Sequence, residues 1–408
     1  MTKYGRSPWI ELAPKSRVPS YPQQRGPLET SVVVVGGGLT GCATAYAFAA
    51  AGVNAVLVEA SRIGRGGTGL ATGWIAGDPG VSFVEVDRSL GRAAARHAFR
   101  AWRRAALDLT ALVRRLGIPC DLRAGSTATV ALTPDQATRL RREQKIRRDA
   151  GLEAPLLNAR AVRAELALDG VAAIREHASG VVDPYRACLG LAAAAAARGV
   201  RIFEKSEVRK ISFTRRIVDV ITAGGSIRAN RVVVATGFPT ALFKSLRRHF
   251  WFRTAYLAMS DRVPAVIRKQ LGRRDAIVRD LASPPHVVRW VGDDRLLVGG
   301  ADLETPPDRQ RERIIPQRTG QLMYELSTLY PDISGILPQY GWDAPYARTS
   351  DGLPYIGPHR NFPHHLFAFG DSSHSVTGAF LASRALLRHH LDELEPVDRF
   401  FSFTRHGD

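Results

Sequence analysis

The sequence predicts an α/β fold, on three observations. Val32 to Val35 are four consecutive valines, the pattern of a strand buried on both faces. That run ends in Gly36-Gly37-Gly38-Leu39-Thr40-Gly41, a GxGxxG turn, and the segment from Cys42 to Ala51 follows with the composition of a closely packed helix. A second apolar strand, Ala55 to Val58, then meets an acid at Glu59. Strand, turn, helix, strand and acid in this order make a βαβ unit.

Each part of that unit has a physical task. Gly36 permits the tight turn, Gly38 lets the backbone approach a pyrophosphate, and Gly41 lets the helix lie close on the sheet. The helix N-terminus presents N–H groups and a partial positive charge to the phosphates. Glu59 lies 18 residues beyond Gly41, where an acid accepts hydrogen bonds from an adenosine ribose. A free 2′-hydroxyl suits FAD or NAD and disfavours NADP. The unit therefore predicts a Rossmann-like domain.

The remaining elements follow in order. Residues 1–27, rich in Pro and polar side chains, read as an extended arm. After the βαβ unit comes a Gly-rich loop, Ile63 to Trp74, which lets backbone approach something large and flat. Apolar residues recur with helical spacing from Asp87 to Leu116, predicting one long amphipathic helix. A strand over Ser126 to Thr133 precedes Pro134 and a basic helix. Asp183-Pro184 suits a helix start, with Asp183 as cap. Short strands follow, ending in Arg231-Val-Val-Val-Ala-Thr236-Gly237, a second buried parallel strand that stops at a glycine, where open α/β sheets hold ligands. Phe252 to Leu303 reads mainly as strands, Arg309 to Leu329 as a helix, and a last strand and helix run to about Leu391.

Composition narrows the function. The 408 residues are 45% hydrophobic and 23% charged, ordinary for a soluble protein. No apolar stretch reaches the roughly 18 residues of a membrane span, and Met1 to Gly26 lacks the apolar core of a secretory signal, so a cytoplasmic enzyme is expected. Cys42, Cys120 and Cys188 form no CxxC pair, and neither a disulfide framework nor a metal is assigned. The net charge of +19 raises nucleic acid as a partner. Its excess arginine lies along amphipathic segments such as Arg139 to Arg148 without interleaved aromatics, so a solvated helix face is expected instead of a nucleic-acid platform.

With these residues the chain resembles the FAD-dependent amine and amino-acid oxidoreductases of the D-amino-acid oxidase superfamily, in its glycine oxidase, sarcosine oxidase and gamma-glutamylputrescine oxidoreductase branches. The likeness is carried by the GxGxxG with Glu59, Arg62-Ile-Gly-Arg-Gly-Gly-Thr-Gly69, Gly180-Val-Val-Asp-Pro-Tyr185, Val232-Val-Val-Ala-Thr-Gly237, Leu296-Leu-Val-Gly-Gly300 and Asp351-Gly-Leu-Pro-Tyr-Ile-Gly357. The resemblance implies FAD and a discontinuous FAD-binding domain over 28–80, 181–240 and 345–400. Beside it stands a second α+β domain, 81–180 and 241–344, whose mixed sheet roofs the isoalloxazine; residues 1–27 remain the arm. It further implies that Gly36, Gly37, Gly38, Leu39, Thr40 and Gly41 hold the pyrophosphate and that Glu59, with Ala60 beside it, binds the ribose. Arg62, Thr68, Gly69, Leu70, Ala71 and Thr72 run along pyrophosphate and flavin, Val208 meets the adenine through its backbone, and Ala235, Thr236 and Gly237 pass near the dinucleotide. Gly370, Asp371, Ser373, His374, Ser375, Val376 and Thr377 approach the flavin pyrimidine and ribityl chain.

Three positions depart from the family pattern. Glycine-oxidase-like members place an arginine five residues before the Asp of Asp-Gly-x-Pro to clasp a substrate carboxylate; that slot is Tyr346, with Arg348 on the same side of an extended strand. Sarcosine-oxidase-like members carry a lysine for reaction with oxygen, and Leu296-Leu297-Val298 has none, leaving the electron acceptor open between O2 and another. The turn Asp371-Ser-Ser-His374-Ser resembles that of flavin monooxygenases, with Asp371 a ribityl ligand or helix cap and His374 an active-site base or a partner within the turn. The expected reaction is oxidation of a C–N bond of a small amine or amino acid by hydride transfer to flavin N5, giving an imine that hydrolyses. Trp74, Tyr256, His286, Arg289, Tyr346, Arg348 and His374 are the candidate pocket residues, each weighed against an ordinary core role. The alternatives are a flavin monooxygenase and a flavoprotein acting on a modified tRNA base.

Overall fold

The computed structural model describes residues 1–373 and 375–407. Its smaller sheet has eight strands, and the order along its main path is Tyr355–His359, Phe362–Phe369, Gly225–Gly237, Gly26–Val35, Ala55–Val58 and Arg201–Phe203. The last five are mutually parallel, and Tyr355–His359 adds antiparallel at the edge. The four valines alternate: Val32 and Val34 join the core with Leu39, Cys42 and Phe48 of the helix Leu39–Ala50, whereas Val33 and Val35 join a second core with Phe243 and Phe367. Burial on both faces explains why the run is uniformly apolar. Pro184–Ala196 and Thr377–Leu391 pack against Leu39–Ala50 on the first face. Asp183 caps its helix by accepting the Arg186 N–H at 3.0 Å, as its sequence position predicts.

The larger, mixed sheet has ten strands and centres on Pro338–Arg348, Trp251–Ser260, Arg295–Glu304 and Val287–Val291, each antiparallel to the next. The helix Arg311–Leu329 covers one face, where Tyr256 and Ala258 meet Ile315, Leu322 and Leu326. The opposite face, with Ala255, Leu257 and Gly299, borders a cavity. The expected α/β fold with a mixed second sheet is present. Chain assigned above to the cofactor domain also enters the larger sheet: Trp74–Ile75 pairs with Ala172–Val181, and Pro338–Arg348 runs past residue 345.

Some local expectations are corrected. The single helix expected from Asp87 to Leu116 is two, Phe83–Leu90 and Arg92–Arg115. Gly91 separates them at φ +86°, a conformation that other residues rarely adopt, and a Ser82/Glu85 capping box starts the first. The arm is more than a surface strap: Lys3–Tyr4 pairs with Pro338–Arg348, and buried Trp9 donates its indole N–H to the Ala71 carbonyl at 2.9 Å. The basic helix, Pro134–Asp149, keeps Arg139, Arg141, Arg142, Lys145 and Arg148 exposed but buries Glu143 and Arg147. Arg147 pairs with Glu143 at 2.7 Å and reaches Asp78 at 3.5 Å, while Arg279 clasps Asp78 with two nitrogens at 3.0 and 2.9 Å. Among the described residues no helix is long and apolar enough to cross a membrane.

Candidate functional site: a dinucleotide cradle beneath a mixed sheet

A cavity of about 880 Å³ opens at the carboxyl ends of the parallel strands, bordered by Val35, Val58, Ala235 to Gly237 and Phe369-Gly370. Its size lies toward the upper end of the ~300–1,000 Å³ range of ligand sites. The GxGxxG turn forms one rim because no side chain fits there. A Cβ on Gly36 would stand 2.6 Å from the Ala235 carbonyl oxygen, and one on Gly41 only 1.8 Å from the Gly36 carbonyl oxygen. The turn is thereby pressed against both the helix and the neighbouring strand, with Gly38, Leu39 and Thr40 facing the cavity.

Glu59 is held in place before any ligand arrives. One carboxylate oxygen accepts the Gly37 N–H at 2.7 Å and the other the Ser61 N–H at 2.8 Å. The remaining lone pairs are acceptor capacity at the cavity wall, which suits ribose hydroxyls. Thr68 accepts the Leu39 N–H at 2.8 Å, tying the Gly-rich loop to the start of the helix.

Most residues expected to touch a cofactor border this cavity: Gly36, Gly38, Leu39, Thr40, Glu59, Ala60, Thr68, Leu70, Ala71, Thr72, Val208, Ala235, Thr236, Gly237, Gly370, Asp371, Ser375 and Val376. Others stand behind it. Gly37 presents its amide to Glu59, Gly41 packs on Gly36, and buried Gly69 closes a turn onto the Gly66 carbonyl at 3.0 Å. Arg62 is half-buried and absent from the lining. Thr377 is fully buried and exchanges hydrogen bonds with the Ala76 backbone, both at 2.9 Å. Ser373 gives its N–H and hydroxyl to Asp371, at 3.0 and 2.6 Å, so Asp371 orders the turn that follows it. His374 lies outside the described residues.

Of the candidate pocket residues, Tyr346 borders the cavity and donates its hydroxyl to Asp302 at 2.6 Å. Burial and the adjacent Asp302 push the Tyr346 phenol pKa upward, so it stays protonated. Tyr256 is turned away: its neighbours Ala255 and Leu257 border the cavity, and strand alternation sends it into the core beneath Arg311–Leu329. Trp74 is core, its indole N–H donated to Thr127 at 2.9 Å. Arg289 is buried, donating to the carbonyls of Thr72 at 2.6 Å and Trp290 at 3.1 Å; burial lowers its pKa to about 9. It props the loop at Thr72 instead of facing the cavity. Arg348 is exposed at a strand end.

His286 also stays off the wall, although Pro285 and Val287 border it. Its Nδ1 lies 2.7 Å from Asp280 and its Nε2 2.8 Å from Glu325, which clamps the 280–286 loop to the helix Arg311–Leu329. Burial lowers its pKa, but the two carboxylates outweigh burial and raise it. Sequence reasoning missed Asp302, Phe238, Phe243 and Pro285 as wall residues. The available signal was an acid interrupting a run of small and apolar strand residues, Leu296 to Ala301.

A mostly parallel sheet with a glycine turn, an acid oriented at the cavity wall and a cavity shared with a mixed sheet define a dinucleotide-dependent oxidoreductase. The DAO family, FAD dependent oxidoreductase, matches residues 31–388, and the chain belongs to it. It is an enzyme, and FAD is its cofactor. It is 27% identical to the gamma-glutamylputrescine oxidoreductase of Escherichia coli, over 90% of this chain and 85% of that protein. It is 26% identical to the glycine oxidase of Bacillus subtilis, over 86% of this chain and 89% of that one. The crystal structure of glycine oxidase from Geobacillus kaustophilus superposes with a TM-score of 0.77 at 22% identity, covering 93% of this chain and all of that one, which shows the shared fold. Among the described residues no group of three or more His, Cys, Asp or Glu is placed to hold a metal ion.

Proposed function

We propose that this enzyme oxidises a C–N bond of a small amine or amino acid, with FAD laid along the cavity. One observation carries the proposal: a single cavity is bordered both by the GxGxxG turn with its oriented Glu59 and by Leu257, Gly299, Asp302 and Tyr346 of the larger sheet. The names of the relatives, gamma-glutamylputrescine oxidoreductase and glycine oxidase, supply the substrate class. When bound, FAD supplies a hydride acceptor at its flavin N5.

The chain's own residues then bind, orient and exclude water. Glu59 would accept the ribose hydroxyls, the first turn of Leu39–Ala50 would face the diphosphate, and the Val208 backbone would meet the adenine. Thr68, Leu70 to Thr72 and Ala235 to Gly237 would line the cofactor, and Asp371, at the cavity wall, would be available to its ribityl hydroxyls. Leu257, Val287 and Ala344 give the larger-sheet wall apolar surface that keeps water from the reacting carbon. Substrate carbon held about 3–3.5 Å from its acceptor needs no further covalent help from the protein.

Anaerobic mixing of the yellow holoenzyme with amines, N-methyl amino acids and D-amino acids tests this directly. Bleaching of the flavin absorbance by at least one of them without added nucleotide is the expected result. Bleaching only with NAD(P)H would contradict it and favour a monooxygenase. Admitting air after bleaching shows whether oxygen is the acceptor.

A further inference from the structure

We infer that Arg289, standing behind the Leu70–Thr72 stretch of the cavity wall, is a positioning residue whose charge makes the bound flavin easier to reduce. The inference rests on FAD lying along the cavity as proposed above, and not on the identity of the substrate. Leu70, Ala71 and Thr72 all border the cavity, and each of their carbonyl oxygens accepts a side-chain N–H from a residue outside the lining. Trp342 donates to Leu70 at 3.0 Å, Trp9 to Ala71 at 2.9 Å and Arg289 to Thr72 at 2.6 Å. Three distant parts of the chain thus converge on three consecutive peptide groups. Holding the oxygens on that side turns the negative ends of these dipoles away from the cavity.

Arg289 adds a full charge to that arrangement. Buried Arg147 and Arg279 are answered by Glu143 and Asp78, whereas buried Arg289 meets carbonyl oxygens and no carboxylate among the described residues. Besides Thr72 it donates to Trp290 at 3.1 Å and Val182 at 3.3 Å, and its guanidinium lies 5.0 Å from the centre of the Trp9 ring. Burial lowers its pKa to about 9, which leaves it protonated at neutral pH. Gly73, at φ +70°, presses the wall onto it: a Cβ there would stand 2.2 Å from the Val182 carbonyl oxygen and 2.7 Å from an Arg289 nitrogen. A neutral flavin ring that accepts a hydride gains a negative charge. A cation one residue behind the wall, in a place without screening water, stabilises that charge more than it would in solution.

Redox-dye titration of the FAD-loaded enzyme measures the effect with no amine present, so its outcome is separate from the C–N reading. Arg289→Gln, which keeps an N–H donor and loses the charge, should lower the equilibrium constant for two-electron flavin reduction by about tenfold or more, which is ~30 mV in midpoint potential. Arg289→Lys keeps the charge and should stay within about threefold of the parent. So should Trp9→Phe, which loses the Ala71 hydrogen bond but no charge. Arg289→Gln that retains FAD and matches the parent, Arg289→Lys falling as far as Arg289→Gln, or an equal fall in Trp9→Phe would each overturn the inference. Should Arg289→Gln purify without flavin, the parent decides. Between pH 5 and pH 6 its potential should fall by ~30 mV per pH unit, one proton per two electrons and hence a tenfold change. A slope of ~59 mV, two protons, would mean a neutral reduced ring and would overturn the inference. Failure of the FAD placement itself would show separately, as FAD affinity indifferent to Glu59→Gln.

Discussion

Replacing Glu59 with glutamine separates the ribose grip from the rest of the cradle. In the parent, two backbone amides give their N–H groups to the two carboxylate oxygens at 2.7 and 2.8 Å. A carboxamide offers one oxygen, so its NH2 must confront one of those amides. The donor left unsatisfied costs about 1–3 kcal/mol, and this cost falls on the apoprotein as well. FAD binding loses in addition a charge-assisted ribose bond of about 1.5–3 kcal/mol, so its Kd should rise roughly 10- to 150-fold. Titration of apoprotein with FAD, followed by flavin fluorescence, measures it, and FMN is the internal control because it lacks the adenosine. The reasoning predicts weakened FAD binding with FMN binding unchanged. A variant whose FAD affinity stays within twofold of the parent, or that loses FMN equally, would refute it.

Gly41→Ala places a Cβ 1.8 Å from the Gly36 carbonyl oxygen, so purified variant should carry a lower FAD-to-protein ratio than parent at equal expression. Asp78→Asn removes the carboxylate charge from buried Arg279 and Arg147 and should lower denaturant stability by about 3–5 kcal/mol. Burial alone would raise the Asp78 pKa, but the two arginines bring it down from 3.8 to about 2. Its contribution is therefore present above pH ~4 and lost as pH falls through about 2, and the stability difference between pH 5 and pH 3 should shrink in Asp78→Asn. The His286 clamp has the opposite sign, since its raised pKa makes its contribution full below the unfolded value of ~6.5 and lost as pH rises through the folded value. The hydrogen-exchange protection of residues 280–286, corrected for the base-catalysed intrinsic rate, should fall as pH rises in the parent and lose that dependence in His286→Gln.

The cofactor half of the site was legible because its signals are local. Four valines, a glycine turn and an acid at fixed spacing act through backbone geometry that a linear pattern records, and the structure sets Gly36, Glu59 and Ala235 on one cavity. The substrate half was less so, because it depends on which strand face turns inward. Tyr256 and Ala255 differ by one position, and only pairing with Arg295–Glu304 and Pro338–Arg348 decides that the alanine faces the cavity. Asp302 stands out as an acid beside a small and apolar strand run, but its turn toward the cavity depends on a register shift between Thr254 and Tyr256 opposite Arg295–Glu304, which that pattern does not mark. Trp74 and Arg289 are residue types common to pockets, yet their partners, Thr127 and the Thr72 carbonyl, come from distant chain and bury them. The break at Gly91 was written in the sequence as a lone glycine inside a helical period, outweighed there by the apolar repeat on either side.

The central claim is that FAD spans the cavity from the glycine turn to the face of the larger sheet. A crystal structure of the holoenzyme measures it most directly. Density should place the ribose against Glu59, the adenine beside Val208 and the isoalloxazine beneath Gly299 and Tyr346. Flavin density elsewhere, or an isoalloxazine directed away from the larger sheet, would contradict it.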